Sequence, residues 1–279
     1  MRLATIILAL VLAVPARAEE EPKITEETPY VQSPRIVVET MLKMAQVRAS
    51  DFLIDLGSGD GRILITAAKK YGARGFGVDY DPRLVKLATD NAQKAGVADR
   101  VTFLEQDIFK TDLRSASVVA MYLLPNYNLV LKPRLLQLKP GTRVVSHDYG
   151  MGDWPADAEL TVPAPEKPVG ARKESTIYLW IVPARVEGAW KTVIPGARGA
   201  RSATLRFEQH YQRLEGTLQI GKMILRLERT YLRANYLSFR VQDGPATVRF
   251  QGYAGNGRIA GEVARSNGRG VRWRALRAD

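Results

Sequence analysis

Cysteine is absent from the 279 residues, so disulfides and thiol chemistry are both excluded. Histidine occurs only twice, and neither H-E-x-x-H nor G-x-S-x-G stands anywhere in the chain, which removes the common metalloprotease and serine-hydrolase readings. No apolar run approaches the roughly 18 residues a membrane-spanning helix needs. Aromatic residues make up 8% and apolar residues 46%, a composition that fits a globular chain of one large or two ordinary domains.

What is present is unevenly placed. Arg2, the apolar run Leu3–Val14, Pro15 and Ala16-Arg17-Ala18 have the three-part layout of a secretory signal, with cleavage expected after Ala18. The chain is therefore expected to be exported and periplasmic; the alternative is an uncleaved membrane anchor, for which about 12 apolar residues are short. From Val186 to Asp279 there are 17 Lys and Arg against 7 Asp and Glu, a net +10 of the chain's +12. The patterning changes at the same place. Up to about Pro183 short apolar runs alternate with helical stretches, which implies a mostly parallel sheet covered on both faces. After Arg185 come period-two segments such as "ATLRFEQHY", "YLSFRV", "TVRFQGY" and "GVRWRAL", separated by Gly or Asn turns. These read as a small antiparallel barrel or sandwich of about seven strands. The expected division is thus a signal at 1–18, an α/β domain at 19–185 and a basic β-domain at 186–279, with the Pro-rich Thr161–Lys173 as a loop inside the α/β domain.

The stretch "LIDLGSGDGR" carries the chemistry. Leu53-Ile54-Asp55-Leu56 reads as a buried strand and Arg62–Lys70 as the helix after it, closed by Gly72. Gly57, Gly59 and Gly61 permit a tight turn whose backbone a ligand can touch near a helix N-terminus. The dinucleotide fingerprint G-x-G-x-x-G fails, because Arg62 stands where its last glycine belongs, and the G-K-[ST] of a P-loop is missing. An acid as close as Asp55 would repel a pyrophosphate but suits a cation. Asp79, 22 residues after Gly57, ends the next strand where a carboxylate accepts ribose hydroxyls. Asp107 follows "VTFLEQ", placed to accept from an adenine amino group. Three carboxylates without a phosphate cradle describe a nucleoside with a positively charged tail: S-adenosyl-L-methionine.

Residues from about Thr28 to Trp154 resemble class I S-adenosylmethionine-dependent methyltransferases. More closely, they resemble the protein-lysine methyltransferases that include the mitochondrial enzymes acting on the adenine nucleotide translocase and the ATP synthase c-subunit. The resemblance rests on "TPYVQSPRIVVETML", "DLGSGDGR", "AAKKYGARGFGVDYDP", "NAQKAGVADRVTF", "MYLLP" and "LKPGTRVVSHDY". It implies a Rossmann-like fold, a protein lysine as acceptor, and cofactor contacts from Tyr30, Asp55, Gly57, Ser58, Gly59, Gly61, Asp79, Tyr80, Asp107 and Ile108. The segment around Tyr30, which precedes a helix with Ser33 as its expected cap and Pro34 in its first turn, is implied to fold over the cofactor as a lid. Gln32-Ser33 departs from the Pro-Thr expected there. Neither the signal nor the basic β-domain belongs to the mitochondrial pattern.

Methyl transfer to nitrogen needs a neutral amine aligned in line with the sulfonium and water kept out, and it needs no metal. The candidate catalytic residues are Tyr122, after the strand that ends "MYLLP", and His147 with Asp148, after "RVVS". Tyr122 can orient an amine or simply pack at the strand end; His147 and Asp148 can line the acceptor channel, take the amine proton or form a structural pair. In the β-domain, Arg206, Arg240, Arg249, Arg272 and Arg274 are expected outside, with Leu205, Phe207, Phe239, Phe250 and Trp273 inside. That face is either solvated or docks an anionic envelope surface; with no RNA-binding signature and no stripe of exposed aromatics read from the sequence, nucleic acid is not expected. Two other functions stay open: methylation of a small molecule, and a non-catalytic envelope protein that binds through its β-domain.

Overall fold

The computed structural model describes residues 29–196, 199–266 and 268–278. The expected signal at 1–18 lies outside the described residues.

The first half is a helix-covered sheet. Its elements are α1 (Arg35–Met44), β1 (Phe52–Leu56), α2 (Arg62–Tyr71), β2 (Arg74–Asp79), α3 (Pro82–Ala95), β3 (Val101–Glu105), β4 (Val118–Met121), α4 (Pro125–Leu135), β5 (Arg143–His147), β6 (Ala158–Pro163) and β7 (Glu174–Ile181). The strands lie in the order β3-β2-β1-β4-β5-β7-β6. The first five are parallel, whereas β7 runs antiparallel to β5 and β6 antiparallel to β7. The stretch expected as loop from Thr161 therefore begins inside a strand: Thr161–Pro163 pair with Glu174–Thr176, and the loop is confined to residues 164–173. Alternation along β1 sends Leu53 into the core under α1 and α2, with Leu64 and Met41, and Ile54 into the core under α4, with Leu131 and Trp154. The chain order reverses between β1 and β4, so the carboxyl ends of these strands open a crevice at the switch point.

The second sheet is closed almost entirely on itself. Strands β8 (Gly188–Gly196), β9 (Gly199–His210), β10 (Arg213–Ile220), β11 (Met223–Arg226), β12 (Glu228–Arg233), β13 (Tyr236–Asp243), β14 (Ala246–Gly255), β15 (Arg258–Arg265) and β16 (Val271–Arg277) form a meander in which the first strand pairs with the last. Its one seam, between β11 and β12, is bridged by Leu227 N–H donating to the Gly216 carbonyl (2.9 Å) and Thr230 Oγ1 to the Leu214 carbonyl (2.6 Å). A single closing sheet makes this a barrel rather than a sandwich. Strands β8 and β12 go beyond the seven expected: "GAWKTVIPG" is interrupted by proline, and "ERTYLR" has too few apolar residues to show an alternation. Leu205, Phe207, Phe239, Phe250 and Trp273 are all buried inside, joined by Trp190. The two halves meet where Trp154 stacks on Tyr211 and donates to Gln212 Oε1 (3.2 Å), while Gln212 donates to the Pro155 carbonyl (2.7 Å).

Candidate functional site

The crevice at the carboxyl ends of β1, β2, β3 and β4 holds a cavity of about 690 Å³. The β1–α2 loop forms its floor. Gly57 and Ser58 N–H both donate to the Val78 carbonyl (2.9 Å each), and Gly59 N–H donates to the Asp79 carboxylate (2.8 Å), so the loop is pinned to the end of β2. Gly59 has φ +53, and a Cβ there would lie 2.5 Å from the ring of Tyr30, which covers the loop from above. Gly61, at φ +80, turns the chain left-handed into α2.

Of the residues expected at the cofactor, Tyr30, Gly57, Ser58, Gly59, Asp79, Tyr80 and Ile108 line the cavity, as does Tyr122 of the catalytic set. Asp55, Gly61, Asp107, His147 and Asp148 do not. Asp55 lies behind the loop, 1% exposed, and neither of its oxygens has a hydrogen-bond partner; the Ser58 hydroxyl is equally orphaned. Burial first, then the charges of Asp79 and Asp60, push the Asp55 carboxyl up to about 8. Asp107 spends one oxygen on its own turn, accepting from Phe109 N–H (2.7 Å), and Glu105 and Ile108 take the wall beside it.

Sequence reasoning missed the latch that joins loop and lid. Arg62 forms a fork onto Asp60 (2.7 Å) and donates to the Ser33 carbonyl (2.8 Å), while Gln32 donates to the Tyr30 hydroxyl (2.9 Å) and reaches Asp60 (3.4 Å). The signal was available in the Asp-Gly-Arg after Gly59, an acid and a base close enough to pair across a helix start.

The three catalytic candidates lie side by side, with His147 Nε2 3.4 Å from the Asp148 carboxylate. Tyr122 stacks on the His147 ring at 3.8 Å and on Tyr149 at 6.2 Å. Burial, with the Asp148 carboxylate and Tyr149 beside it, raises its phenol well above the ordinary tyrosine range, so it stays protonated. His147 has no exposed surface and sits between two hydroxyls, Ser33 Oγ on Nδ1 and Ser175 Oγ on Nε2, each at 2.9 Å. Desolvation lowers its pKa to about 4 although Asp148 opposes the shift. It is therefore held neutral, bridging the Ser33 segment and the sheet. Ser33 correspondingly makes no cap for α1; its hydroxyl is engaged by His147. Asp148 accepts from Thr176 N–H (3.1 Å) and pairs with Lys167 at 2.6 Å, a structural role.

This geometry has counterparts among known proteins. Residues 55–158 match the family model of the ANTKMT methyltransferase domain. A protein-lysine N-methyltransferase of Saccharolobus islandicus is 39% identical over 156 residues, which span 55% of this chain and 93% of that protein. The chain belongs to this methyltransferase family. The adenine nucleotide translocase lysine N-methyltransferase of Mus musculus is 33% identical, but the match covers 62% of its length and 55% of this chain. The lysine N-methyltransferase of the ATP synthase c-subunit in Homo sapiens is 32% identical, over 55% of its length and 46% of this chain. A crystal structure of an RNA methyltransferase from Salinibacter ruber with S-adenosyl-L-homocysteine is 47% identical, with a TM-score of 0.51, covering 56% of this chain and 96% of that one. The family model ends before the barrel begins.

The methyltransferase residues fit S-adenosylmethionine. Asp79 and Glu105 offer carboxylates on the cavity wall, the glycine loop offers bare backbone, and the orphaned Ser58 hydroxyl on that wall is an unpaired polar group that a bound ligand would satisfy, while Asp55 behind the loop can act on a cationic tail only through its charge. When bound, that cofactor supplies an activated methyl group.

Proposed function

We propose that this methyltransferase acts on the amine of a protein lysine. The carrying observation is Tyr122, a phenol held protonated in the wall of the cofactor cavity and packed against the His147 ring. Asp79, Tyr80, Ile108 and the glycine loop hold the nucleoside; Tyr30 and the Asp60–Arg62 latch exclude water above it. Tyr122 orients the incoming amine through its hydroxyl or ring face. No side chain here is a poised base: His147 is enclosed by hydroxyls, and Asp148 is held by Lys167. The amine proton is therefore lost to water before attack. The lysine specificity of the Saccharolobus and animal relatives supports this reading.

The Salinibacter structure favours a second reading, in which the acceptor is RNA. One experiment separates the two. Extract is incubated with the protein and radiolabelled cofactor, then digested with protease or with ribonuclease. Label released as small fragments by protease alone, and recovered as methyl-lysine after hydrolysis, is the expected result; label lost only to ribonuclease would replace lysine with RNA.

A further inference from the structure

The barrel's outer face carries a feature that its sequence concealed. Tyr253 is 60% exposed and Tyr231 47%, and with Tyr236 they form a run of rings in edge contact, at 6.1 Å between Tyr231 and Tyr236 and 5.4 Å between Tyr236 and Tyr253. They stand on three neighbouring strands, Tyr231 and Tyr236 on the two arms of one hairpin and Tyr253 on the strand after it, so no single strand announces them. The ladder register sets two of them in one cross-strand row, Arg233 opposite Tyr236, Tyr236 opposite Tyr253, Tyr253 opposite Ala260 and Ala260 opposite Arg274, while Tyr231, opposite Ser238, flanks Tyr236 on the diagonal. Four strand spacings of about 4.8 Å make this row about 19 Å long, with an arginine at each end.

Arg274 also lines a second, open groove of about 930 Å³ across β16, β8, β9 and β10, together with Lys191, Arg272, Gln219, Val193 and Leu276. Among the described residues, Lys191, Arg233, Arg272 and Arg274 join no salt bridge. Glu262 faces Arg272 across the ladder. The surface is thus an aromatic platform that runs into a cationic trough, on a unit with net charge +10.

We propose that this face binds single-stranded nucleic acid. Planar π-faces at successive short intervals accept unstacked bases, and guanidinium groups beside them take the phosphates; sequence-tolerant strand binding uses this pairing of stacking and charge. A flat lipid surface is served less well, because the tyrosines follow a convex barrel wall. The proposal concerns the barrel alone and is independent of whether the methyl acceptor is lysine. It departs from the expectation of no nucleic-acid partner, one ground of which was that no stripe of exposed aromatics could be read from the sequence.

The test uses the full chain and a fluorescein-labelled oligo(U) RNA of about 20 nucleotides, followed by anisotropy at about 50 mM salt. Tyr253→Ala, on an exposed side chain that leaves the melting profile and methyl transfer intact, is expected to weaken binding about 5- to 150-fold, the value of one lost stacking partner. Arg272→Gln with Arg274→Gln is expected to lower the slope of log affinity against log salt by about 1.4, two phosphate contacts on a single strand. No binding at low salt, or equal affinity for Tyr253→Ala and the parent chain, would overturn the proposal. So would binding to phosphatidylglycerol vesicles or to heparin that depends on the same tyrosines where RNA binding does not.

Discussion

The two sheets of this chain handle the same problem, the unpaired ends and edges of strands, in opposite ways. The first sheet is open. Its parallel strands all finish at one rim, where β1 and β4 part, and there Asp79 ends β2 and Glu105 ends β3 beside a loop of bare backbone. An orphaned acid, Asp55, is retained beneath that loop. The second sheet is closed. Its interior is filled by Trp190, Trp273 and the stacked Phe239–Phe250 pair, 4.6 Å apart, and it keeps its charge outside. A sheet that leaves its strand ends unfinished holds a ligand among them; one that fills its interior can offer a partner only its outer wall.

The sharpest way to break the comparison is to empty the barrel. Trp273 is 2% exposed, packs edge-on to Phe239 and Phe250, and donates to Thr192 Oγ1 at 2.6 Å. Trp273→Ala is expected to destabilise the barrel by about 3–5 kcal/mol. Scanning calorimetry should show one transition moved down while cofactor affinity, measured by titration calorimetry, stays at the parent value. Loss of cofactor binding would mean that the Trp154–Tyr211–Gln212 contacts transmit the damage and that the halves form one cooperative unit.

On the open side, Asp79→Ala comes next. The carboxylate anchors Gly59 N–H and Asp81 N–H and faces the cavity where ribose hydroxyls are expected. Removing a charged acceptor costs about 1.5–3 kcal/mol, so S-adenosylmethionine affinity should fall by one to two orders of magnitude in the same calorimeter. An unchanged affinity would take the ribose away from Asp79.

Legibility in the sequence divides along the same line. The Rossmann-like half is readable because its signals are local: a D-x-G-x-G-x-G loop, a Gly72 helix end, an acid at a strand terminus. What stays hidden there depends on tertiary placement. Nothing in "RVVSH" tells that His147 will be sealed between Ser33 and Ser175 from segments 114 and 28 residues away. Asp55 is legible as an acid suited to a cation, but its position behind the loop, not on the cavity wall, follows from the pleat of β1 against β2. In the barrel, alternation locates the inward aromatics correctly. The outward tyrosines come together only through the register of β12, β13 and β14, which no single strand encodes.

A smaller, pH-dependent effect tests whether Asp55 serves the cofactor's charge. Its folded carboxyl is raised to about 8 from an unfolded value near 4, so the ligand-free fold should lose stability as pH rises between those values and level off above. A cationic ligand favours the carboxylate and releases the proton. The preference for S-adenosylmethionine over S-adenosylhomocysteine should therefore grow with pH, by at most about tenfold per unit up to about pH 8. Asp55→Asn should flatten that trend. A preference that stays constant from pH 6 to pH 8 in the parent chain would leave Asp55 as a loop support only.

The smallest effect bears most directly on chemistry. A lysine amine titrates near ~10.4, so at pH 7 nearly all of it is protonated and unable to attack. Tyr122 is held above its ordinary range and His147 at about 4, so neither changes charge between pH 7 and 9. With chemistry limiting and cofactor saturating, so that Asp55 is already ionised, transfer to a lysine acceptor should accelerate across that interval as the amine loses its proton. Tyr122→Phe removes one hydroxyl while keeping the ring on His147 and Tyr149, and is expected to slow transfer about 2- to 10-fold, the value of one neutral hydrogen bond. Cofactor affinity and the slope of rate against pH should both stay as they were. If the slope collapses in Tyr122→Phe, the phenol carries the proton and the assignment of that loss to water is wrong. A parent enzyme whose rate is flat from pH 7 to 9 would point away from an amine acceptor altogether.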